Sequence, residues 1–230
     1  MLMHEIYPRE AGQTRRAFIK NGILFSISAG GIMLSGRAGF SATGKERWGM
    51  IIDLNRCMGC QSCTVACKNQ NQTLENRFST SVIEKETGEY PDSRFSFTPI
   101  QCNHCDDPPC VPVCPEDATF KLANGIVVTD WNKCVGNGAC VEACPYNARF
   151  LDPRFGNKAD KCDFCLNRLE LGLEPACVEA CAPKARIWGD FNNPSGEFAE
   201  YIKAGGLVFR KPELGIKTSI LYKKAREDHE

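Results

Sequence analysis

Fifteen cysteines in a chain of 230 residues constrain this fold more than any other feature of the sequence. They fall into four groups, and in each group three residues separate the last two cysteines. The first group is Cys57, Cys60, Cys63 and Cys67; the second is Cys102, Cys105, Cys110 and Cys114; the third is Cys134, Cys140 and Cys144; the fourth is Cys162, Cys165, Cys177 and Cys181. Cysteines at this density serve disulfides, zinc sites or iron–sulfur clusters.

The spacing of the first group favours iron–sulfur clusters over the other two uses. Its pattern, C-x2-C-x2-C-x3-C, is the run found in bacterial ferredoxins. Three thiolates two residues apart can wrap one face of a cluster, and the fourth points to the other cluster of a pair. Structural zinc usually takes its four ligands as two separated pairs, which gives no reason for this run.

The N-terminal segment, residues 1–44, favours metal ligation over disulfides. Thr14 to Lys20 contains a twin-arginine pattern, and an apolar stretch of signal-peptide length follows from Ile23 to Leu34. A chance Arg-Arg pair before a buried helix is the alternative. Twin-arginine signals resemble those of bacterial proteins exported already folded, so metal can occupy the thiolates before they reach an oxidising compartment. We therefore expect a protein on the periplasmic side of the bacterial cytoplasmic membrane.

The cysteine-bearing part of the chain repeats itself. Asp53 to Cys57 resembles Asp130 to Cys134, and each follows a short apolar run that predicts a strand, at Met50–Ile52 and at Ile126–Val128. The first group therefore corresponds to the third, and a similar likeness relates the second group to the fourth. This indicates an α+β fold of two tandem bacterial-ferredoxin-like units in residues 45–190.

The third group lacks one cysteine that the first group has. When the two are aligned on Cys57 and Cys134, Asn137 stands where Cys60 stands. An amide is a poor iron ligand beside thiolates, because soft sulfur donors suit these clusters. We predict a [3Fe-4S] cluster at this site. The alternative is an atypical [4Fe-4S] cluster with Asn137, water or hydroxide on the odd iron.

Three further regions carry weaker signals. Leu74–Thr98 contains no cysteine and is interpreted as an insertion between two ligand loops. Residues 191–230 are expected to form an extended C-terminal tail that docks on a partner, with a helix at Glu197–Ala204. His104, inside the second group, could donate to cluster sulfur, but we interpret it as a loop residue at a surface.

Several stretches resemble the iron–sulfur subunits of the dimethyl sulfoxide reductase family of molybdoenzymes. They include Arg47–Asp53, Cys102–Cys110 and Asp160–Cys165, and the resemblance covers about residues 45–190. Within the family it is strongest to the iron–sulfur (B) subunits of tetrathionate reductases, as at Gly59–Val65 and Leu169–Cys181. The corresponding subunits of polysulfide or thiosulfate, selenite and arsenate reductases share much of the pattern.

The resemblance implies how the groups share clusters, because it pairs the first group with the fourth and the second with the third. The implied ligand sets, here called the first to fourth sets, are Cys57, Cys60, Cys63 and Cys181; Cys67, Cys162, Cys165 and Cys177; Cys102, Cys105, Cys110 and Cys144; and Cys114, Cys134 and Cys140. Together they imply four clusters: three [4Fe-4S] clusters and, beside Asn137, one [3Fe-4S] or atypical [4Fe-4S] cluster.

An electron-transfer subunit without catalysis of its own is the favoured function. The sequence shows no nucleophile–base pair, P-loop or dinucleotide fingerprint, and its 28 basic and 28 acidic side chains give no sign of a nucleic-acid partner. The resemblance implies two partners, a molybdopterin catalytic subunit and a quinol-handling integral membrane anchor. The alternatives are an enzyme that uses an open iron beside Asn137, and a metal-stabilised interaction module.

Overall fold

Short secondary-structure elements alternate with cysteine-bearing loops along the chain. The structure, a computed structural model, describes residues 46–225. The strands are β1 (Trp48–Asp53), β2 (Thr80–Thr87), β3 (Arg94–Gln101), β4 (Thr119–Lys121), β5 (Val127–Thr129), β6 (Arg149–Asp152), β7 (Lys158–Lys161), β8 (Arg186–Asp190), β9 (Leu207–Val208) and β10 (Ile220–Lys223). The α-helices are α1 (Ser62–Asn71), α2 (Ala139–Glu142), α3 (Leu166–Leu169), α4 (Ala176–Glu179) and α5 (Gly196–Ala204). The twin-arginine segment lies outside the described residues.

A four-stranded sheet brings the two ends of the described chain together. Its order is β8–β1–β10–β9, and all six residues of β1 are buried. The strand before the first cysteine group, β1, pairs antiparallel with the strand after the fourth group, β8. The first and fourth groups therefore lie beside each other, although most of the sequence separates them. None of the helices within residues 46–225 is long and apolar enough to cross a membrane.

Three two-stranded ladders hold the remaining loops, and they are β2–β3, β4–β5 and β6–β7. The first contains most of the cysteine-free stretch at residues 74–98, which is a hairpin with eight residues in each strand. Its Phe97 ring covers Gly59 in the first cysteine loop so closely that a Cβ at Gly59 would collide with it. Gly59 also has φ +72°, a conformation that glycine adopts without strain. The hairpin is thus packed on a candidate ligand loop.

The C-terminal segment is built into the fold and is not a free tail. The predicted helix is present as α5, and β10 lies between β1 and β9 with Ile220 fully buried. The Ser219 N–H donates to the Asn103 carbonyl at 3.0 Å, and the Asp106 N–H donates to the Lys217 carbonyl at 2.9 Å. The segment therefore ties the second cysteine loop to the main sheet, and docking of a partner on it stays a proposal.

A hydrogen bond from α5 to the end of β1 gives a first testable consequence. The Tyr201 hydroxyl donates to Asp53 Oδ2 at 2.5 Å, and Asp53 is buried. Hydrogen bonds to charged groups contribute about 1.5–3 kcal/mol. We expect Tyr201→Phe to lower the midpoint of thermal unfolding by about 3–8 °C. The matched control is Tyr90→Phe at a side chain that is 95% exposed, which should leave the midpoint unchanged; equal midpoints for both variants would contradict this account.

Candidate iron–sulfur centres

All fifteen cysteines lie within the described residues, and every one is a free thiol. No disulfide joins any of them in residues 46–225, so the structure does not build the disulfide framework that the sequence left open. In the same range no three His, Cys, Asp or Glu side chains are grouped to hold one metal ion. The thiols gather instead as four separate sets.

The first set lines one enclosed cavity. Cys57, Cys60, Cys63 and Cys181 all face a space of about 310 Å³. Pairing of β1 with β8 explains this convergence, because the first cysteine loop follows β1 and Cys181 precedes β8. The structure thus brings together the four thiols that the family resemblance assigns to one cluster, and their ligation stays a prediction.

The second set forms where α1 packs against α4. Cys67 on α1 lies near Cys162, Cys165 and Cys177, and this proximity adds to burial in raising the pKa of the Cys162 thiol well above its usual range. The Asn71 amide links two members of the set, since its Nδ2 lies 3.5 Å from the Cys67 sulfur and 3.6 Å from the Cys165 sulfur. Cys67 therefore joins the fourth group and not its own.

The third set lines a second cavity of the same size. Cys102, Cys105, Cys110 and Cys144 face a space of about 310 Å³. The two cavities are formed by equivalent groups of the repeat, and each takes three thiols from one group and the last thiol of another. The crossed arrangement implied by the family is therefore present at both places.

The fourth set has three thiols and one exposed amide. Cys114, Cys134 and Cys140 belong to a single apolar cluster. Asn137 is exposed, and its Oδ1 accepts a hydrogen bond from the Ala139 N–H at 3.2 Å. The amide oxygen is thus engaged by the backbone of its own loop.

The equivalent position in the first loop shows what this substitution changes. Cys60 is also exposed, and the hydroxyl and backbone N–H of Ser62 both bond its sulfur and lower the pKa of this thiol. Ser62 corresponds to Ala139, so the same backbone N–H serves a sulfur in one loop and an amide oxygen in the other. Asn137 keeps the shape of the loop without supplying a soft ligand.

Burial keeps most of these thiols protonated in the absence of metal. It is the main cause that raises the pKa of Cys105 and of Cys165 to about 12, and neighbouring charged groups raise them further. A coordinating metal removes the thiol proton outright. Thiols buried in groups at this density are therefore suited to ligation, in which their protons are released as metal binds.

Backbone amides support the last cysteine of each group in a repeated way. In three groups the N–H four residues later donates to the cysteine sulfur. These pairs are Ala118 to Cys114 at 3.2 Å, Ala148 to Cys144 at 3.5 Å, and Ala185 to Cys181 at 3.3 Å. In the first group the side chain of Asn71, also four residues later, donates to Cys67. Hydrogen bonds to ligand sulfur are among the factors that set cluster potentials.

Orphaned polar atoms around the two cavities fit an iron–sulfur cluster. Both amide atoms of Asn103 and the Tyr146 hydroxyl are buried without partners beside the third set, and Arg186 Nε is buried without one beside the first set. Buried polar groups usually have partners. Cluster sulfides would supply acceptors here, so the donors and the thiol sets together fit [4Fe-4S] clusters.

Contacts join the four sets in the order in which they are numbered. Arg186 reaches thiols of the first and second sets, and the apolar cluster that holds the fourth set also contains Cys110 of the third. Between the second and third sets, the ring of Phe164 stacks on that of His104 at a centroid distance of 3.9 Å. Each ring belongs to a residue between two cysteines of its set, so the sets form one continuous series.

His104 is not the surface loop residue that the sequence suggested. It is fully buried, and its Nδ1 accepts a hydrogen bond from the Val127 N–H at 3.0 Å. Burial, reinforced by nearby cations, lowers the pKa of the imidazole well below its usual range. The surface interpretation was wrong because the C-terminal segment covers this loop, with Ser219 Oγ donating to the His104 carbonyl at 2.8 Å.

Sequence reasoning missed Arg186, although a repeat marks it. Ala185-Arg186 follows Cys181 at the same distance as Ala148-Arg149 follows Cys144. Both arginines are buried, Arg186 with 2% and Arg149 with 5% of its surface exposed. Two arginines at one position of a repeat, both in the interior, indicate a shared role at the thiol sets.

Comparison with known proteins agrees with this geometry. Family models described as "4Fe-4S dicluster domain" match residues 56–118 and residues 93–191. Together the matches contain all four cysteine groups. The chain therefore carries two tandem 4Fe-4S dicluster domains, as the repeat predicted.

Three relatives extend the likeness over most of the chain. The iron–sulfur (B) subunit of tetrathionate reductase from Salmonella typhimurium is 46% identical over 182 residues, which are 77% of this chain and 72% of the relative. The corresponding subunit of selenate reductase from Mesobacillus selenatarsenatis is 37% identical over 76% of this chain and 71% of its own length. The arsenate respiratory reductase iron–sulfur subunit ArrB of a Shewanella strain is 32% identical over 76% and 95%. The chain thus belongs to the iron–sulfur subunits of the dimethyl sulfoxide reductase family, which transfer electrons and leave catalysis to another subunit.

Proposed function

We propose that this chain relays electrons between a quinol-handling membrane anchor and a molybdopterin catalytic subunit of a respiratory reductase, through four clusters. The observation that carries the proposal is the continuous series of thiol sets, each assembled from two cysteine groups. Iron–sulfur clusters supply one-electron carriers whose potentials the protein tunes. The residues of this chain hold the carriers at successive positions and shield them from water.

The terminal sets support docking of a partner at each end of the series. Cys60 in the first set and Asn137 beside the fourth are both exposed, whereas the contacts between the second and third sets are buried. Met58 and Val135, at equivalent positions in the two terminal loops, are each 62% exposed. Apolar side chains exposed beside the two end sets are suited to covering by partner subunits.

We propose a tetrathionate-type sulfur oxyanion as the substrate of the complex, because the relative with the highest identity of the three belongs to a tetrathionate reductase. Polysulfide or thiosulfate, selenite and arsenate are the alternatives. The direct test is the full complex with reduced quinol analogue as donor and each oxyanion in turn as acceptor. Replacement of Cys110 by serine should abolish transfer from quinol but not reduction of the acceptor by a dye that reaches the catalytic subunit directly. Unimpaired quinol-dependent turnover would contradict the relay.

Export by the twin-arginine route, to the periplasmic side of the cytoplasmic membrane, belongs to the same proposal. Its support is the pattern at Thr14–Lys20 in a chain whose buried thiols fit metal loaded before export. Replacement of Arg15 and Arg16 by lysine should leave the loaded protein in the cytoplasm, measured by fractionation of cells. Normal appearance of the double variant in the periplasm would contradict this route.

We further propose that the fourth set holds a [3Fe-4S] cluster, because Asn137 stands at the position of a ligand and its amide oxygen bonds the Ala139 N–H. Asn137→Cys restores the missing thiol and should raise the iron content from about fifteen to about sixteen per chain. The oxidised three-iron paramagnetic resonance signal should disappear in this variant.

The matched control is Asn193→Cys, which adds a thiol at an exposed turn before α5. This variant should keep the three-iron signal and the iron content of the parent. A fully loaded parent protein without an oxidised three-iron signal would contradict the assignment and favour the atypical four-iron cluster.

A further inference from the structure

Arg186 lies between the first and second thiol sets. It is among the largest fully buried side chains of the described residues. Its Nη2 is 3.6 Å from the sulfur of Cys63 in the first set, and its Nη1 is 3.9 Å from the sulfur of Cys177 in the second. One guanidinium thus contacts a thiol of each neighbouring set.

The remaining groups that hold this guanidinium are uncharged. Gln101 Oε1 and Thr80 Oγ1 each accept a hydrogen bond from it at 2.8 Å, and Met50 Sδ lies 3.6 Å from Nη1. A fully buried cation is costly unless an anion compensates it. The thiols of Cys63 and Cys177 are the groups beside Arg186 that become anionic when they ligate metal. The cation therefore has its counter-charge in the clusters themselves.

Arg149 repeats this arrangement in the other half of the fold. It lies five residues after Cys144, as Arg186 lies five residues after Cys181. It lines the cavity of the third set and hydrogen-bonds the Cys110 thiol there. Its Nη1 also donates to two threonine hydroxyls, at 3.2 and 3.3 Å. A buried arginine therefore recurs beside a thiol set of each half.

We propose that Arg186 is a positioning residue that raises the reduction potentials of the first and second clusters together, and that Arg149 acts in the same way on the third. The inference rests on the proposed function, because it takes the thiol sets as cluster ligands. An added electron makes a cluster more negative, so a fixed positive charge stabilises its reduced form. A shared charge would keep the potentials of two neighbouring clusters close and so favour transfer between them.

The test is a redox titration of the full-length, iron-loaded chain followed by paramagnetic resonance. Arg186→Gln removes the charge and keeps a side chain that can hydrogen-bond. At a fixed potential it should lower the ratio of reduced to oxidised first and second clusters at least tenfold, which is about 59 mV for a one-electron couple. The third and fourth clusters should shift much less. Arg149→Gln, the matched control, should shift the third cluster and spare the first two.

Two more variants keep the inference testable if Arg186→Gln does not retain its iron. Arg186→Lys keeps the charge and should hold both potentials near those of the parent. Gln101→Glu places a carboxylate on the guanidinium and should lower both potentials. Unmoved potentials in iron-loaded Arg186→Gln or Gln101→Glu, or an equal shift of all four clusters, would overturn the inference and leave the proposed relay intact. A parent chain that takes up no iron would instead overturn the relay.

Discussion

Serine in place of Cys67 is expected to remove the second cluster and leave the first intact. Cys67 lies four residues after Cys63, yet its thiol joins those of the fourth group. Serine oxygen is a poor substitute for the soft thiolate that such a cluster needs. The variant should therefore lose about four of about fifteen irons. The measurement is iron content together with the paramagnetic resonance signals of the individual clusters.

Cys63→Ser is the matched control for that experiment, because it changes the neighbouring cysteine of the same helix. It should remove the first cluster and leave the second, the reverse of the Cys67 result. The crossed arrangement is contradicted if both variants lose the same cluster. Because every cysteine of the chain belongs to one of the four sets, the reciprocal pair is a better control than any cysteine elsewhere.

Removal of iron is expected to abolish cooperative unfolding of this chain. The apolar clusters at the centre of the fold contain the thiols, so the metal sites and the core occupy the same space. Most elements are short, and three of the five α-helices in residues 46–225 have only four residues. Helices of that length have little stability by themselves. Where metal sites replace a large core, the free energy of metal binding is a major part of the free energy of folding.

The measurement is thermal unfolding followed by near-ultraviolet circular dichroism, before and after removal of iron with a chelator and reductant. The loaded protein should show a single steep transition, and the iron-free protein should show little or none. Protein treated with reductant alone is the control, since it keeps its clusters. An iron-free chain that unfolds as cooperatively, and at the same temperature, as the loaded one would contradict this account.

Local signals were enough to predict several elements. The apolar runs at Met50–Ile52 and Ile126–Val128 predicted strands that are present as β1 and β5, and the helix predicted at Glu197–Ala204 is α5. The positions of the ligand loops also followed from cysteine spacing alone. Such signals are readable because the physical cause of each element lies within a few residues of it.

Long-range contacts explain what the sequence did not reveal. β10 was expected to be part of a loose tail because its partner strand β1 lies near the other end of the described chain. His104 was placed at a surface because nothing nearby in sequence shows that residue 219 covers it. Which fourth thiol completes each set likewise came from family resemblance, since spacing within a group does not state which other group lies beside it.

The Mössbauer spectrum of the full-length chain enriched in iron-57 tests the central claim most directly. A relay of four clusters with Asn137 beside the last predicts about fifteen irons per chain, about one fifth of them in a three-iron cluster and the rest in four-iron clusters. Zinc in place of iron, or iron sufficient for only one or two clusters in fully loaded protein, would contradict it.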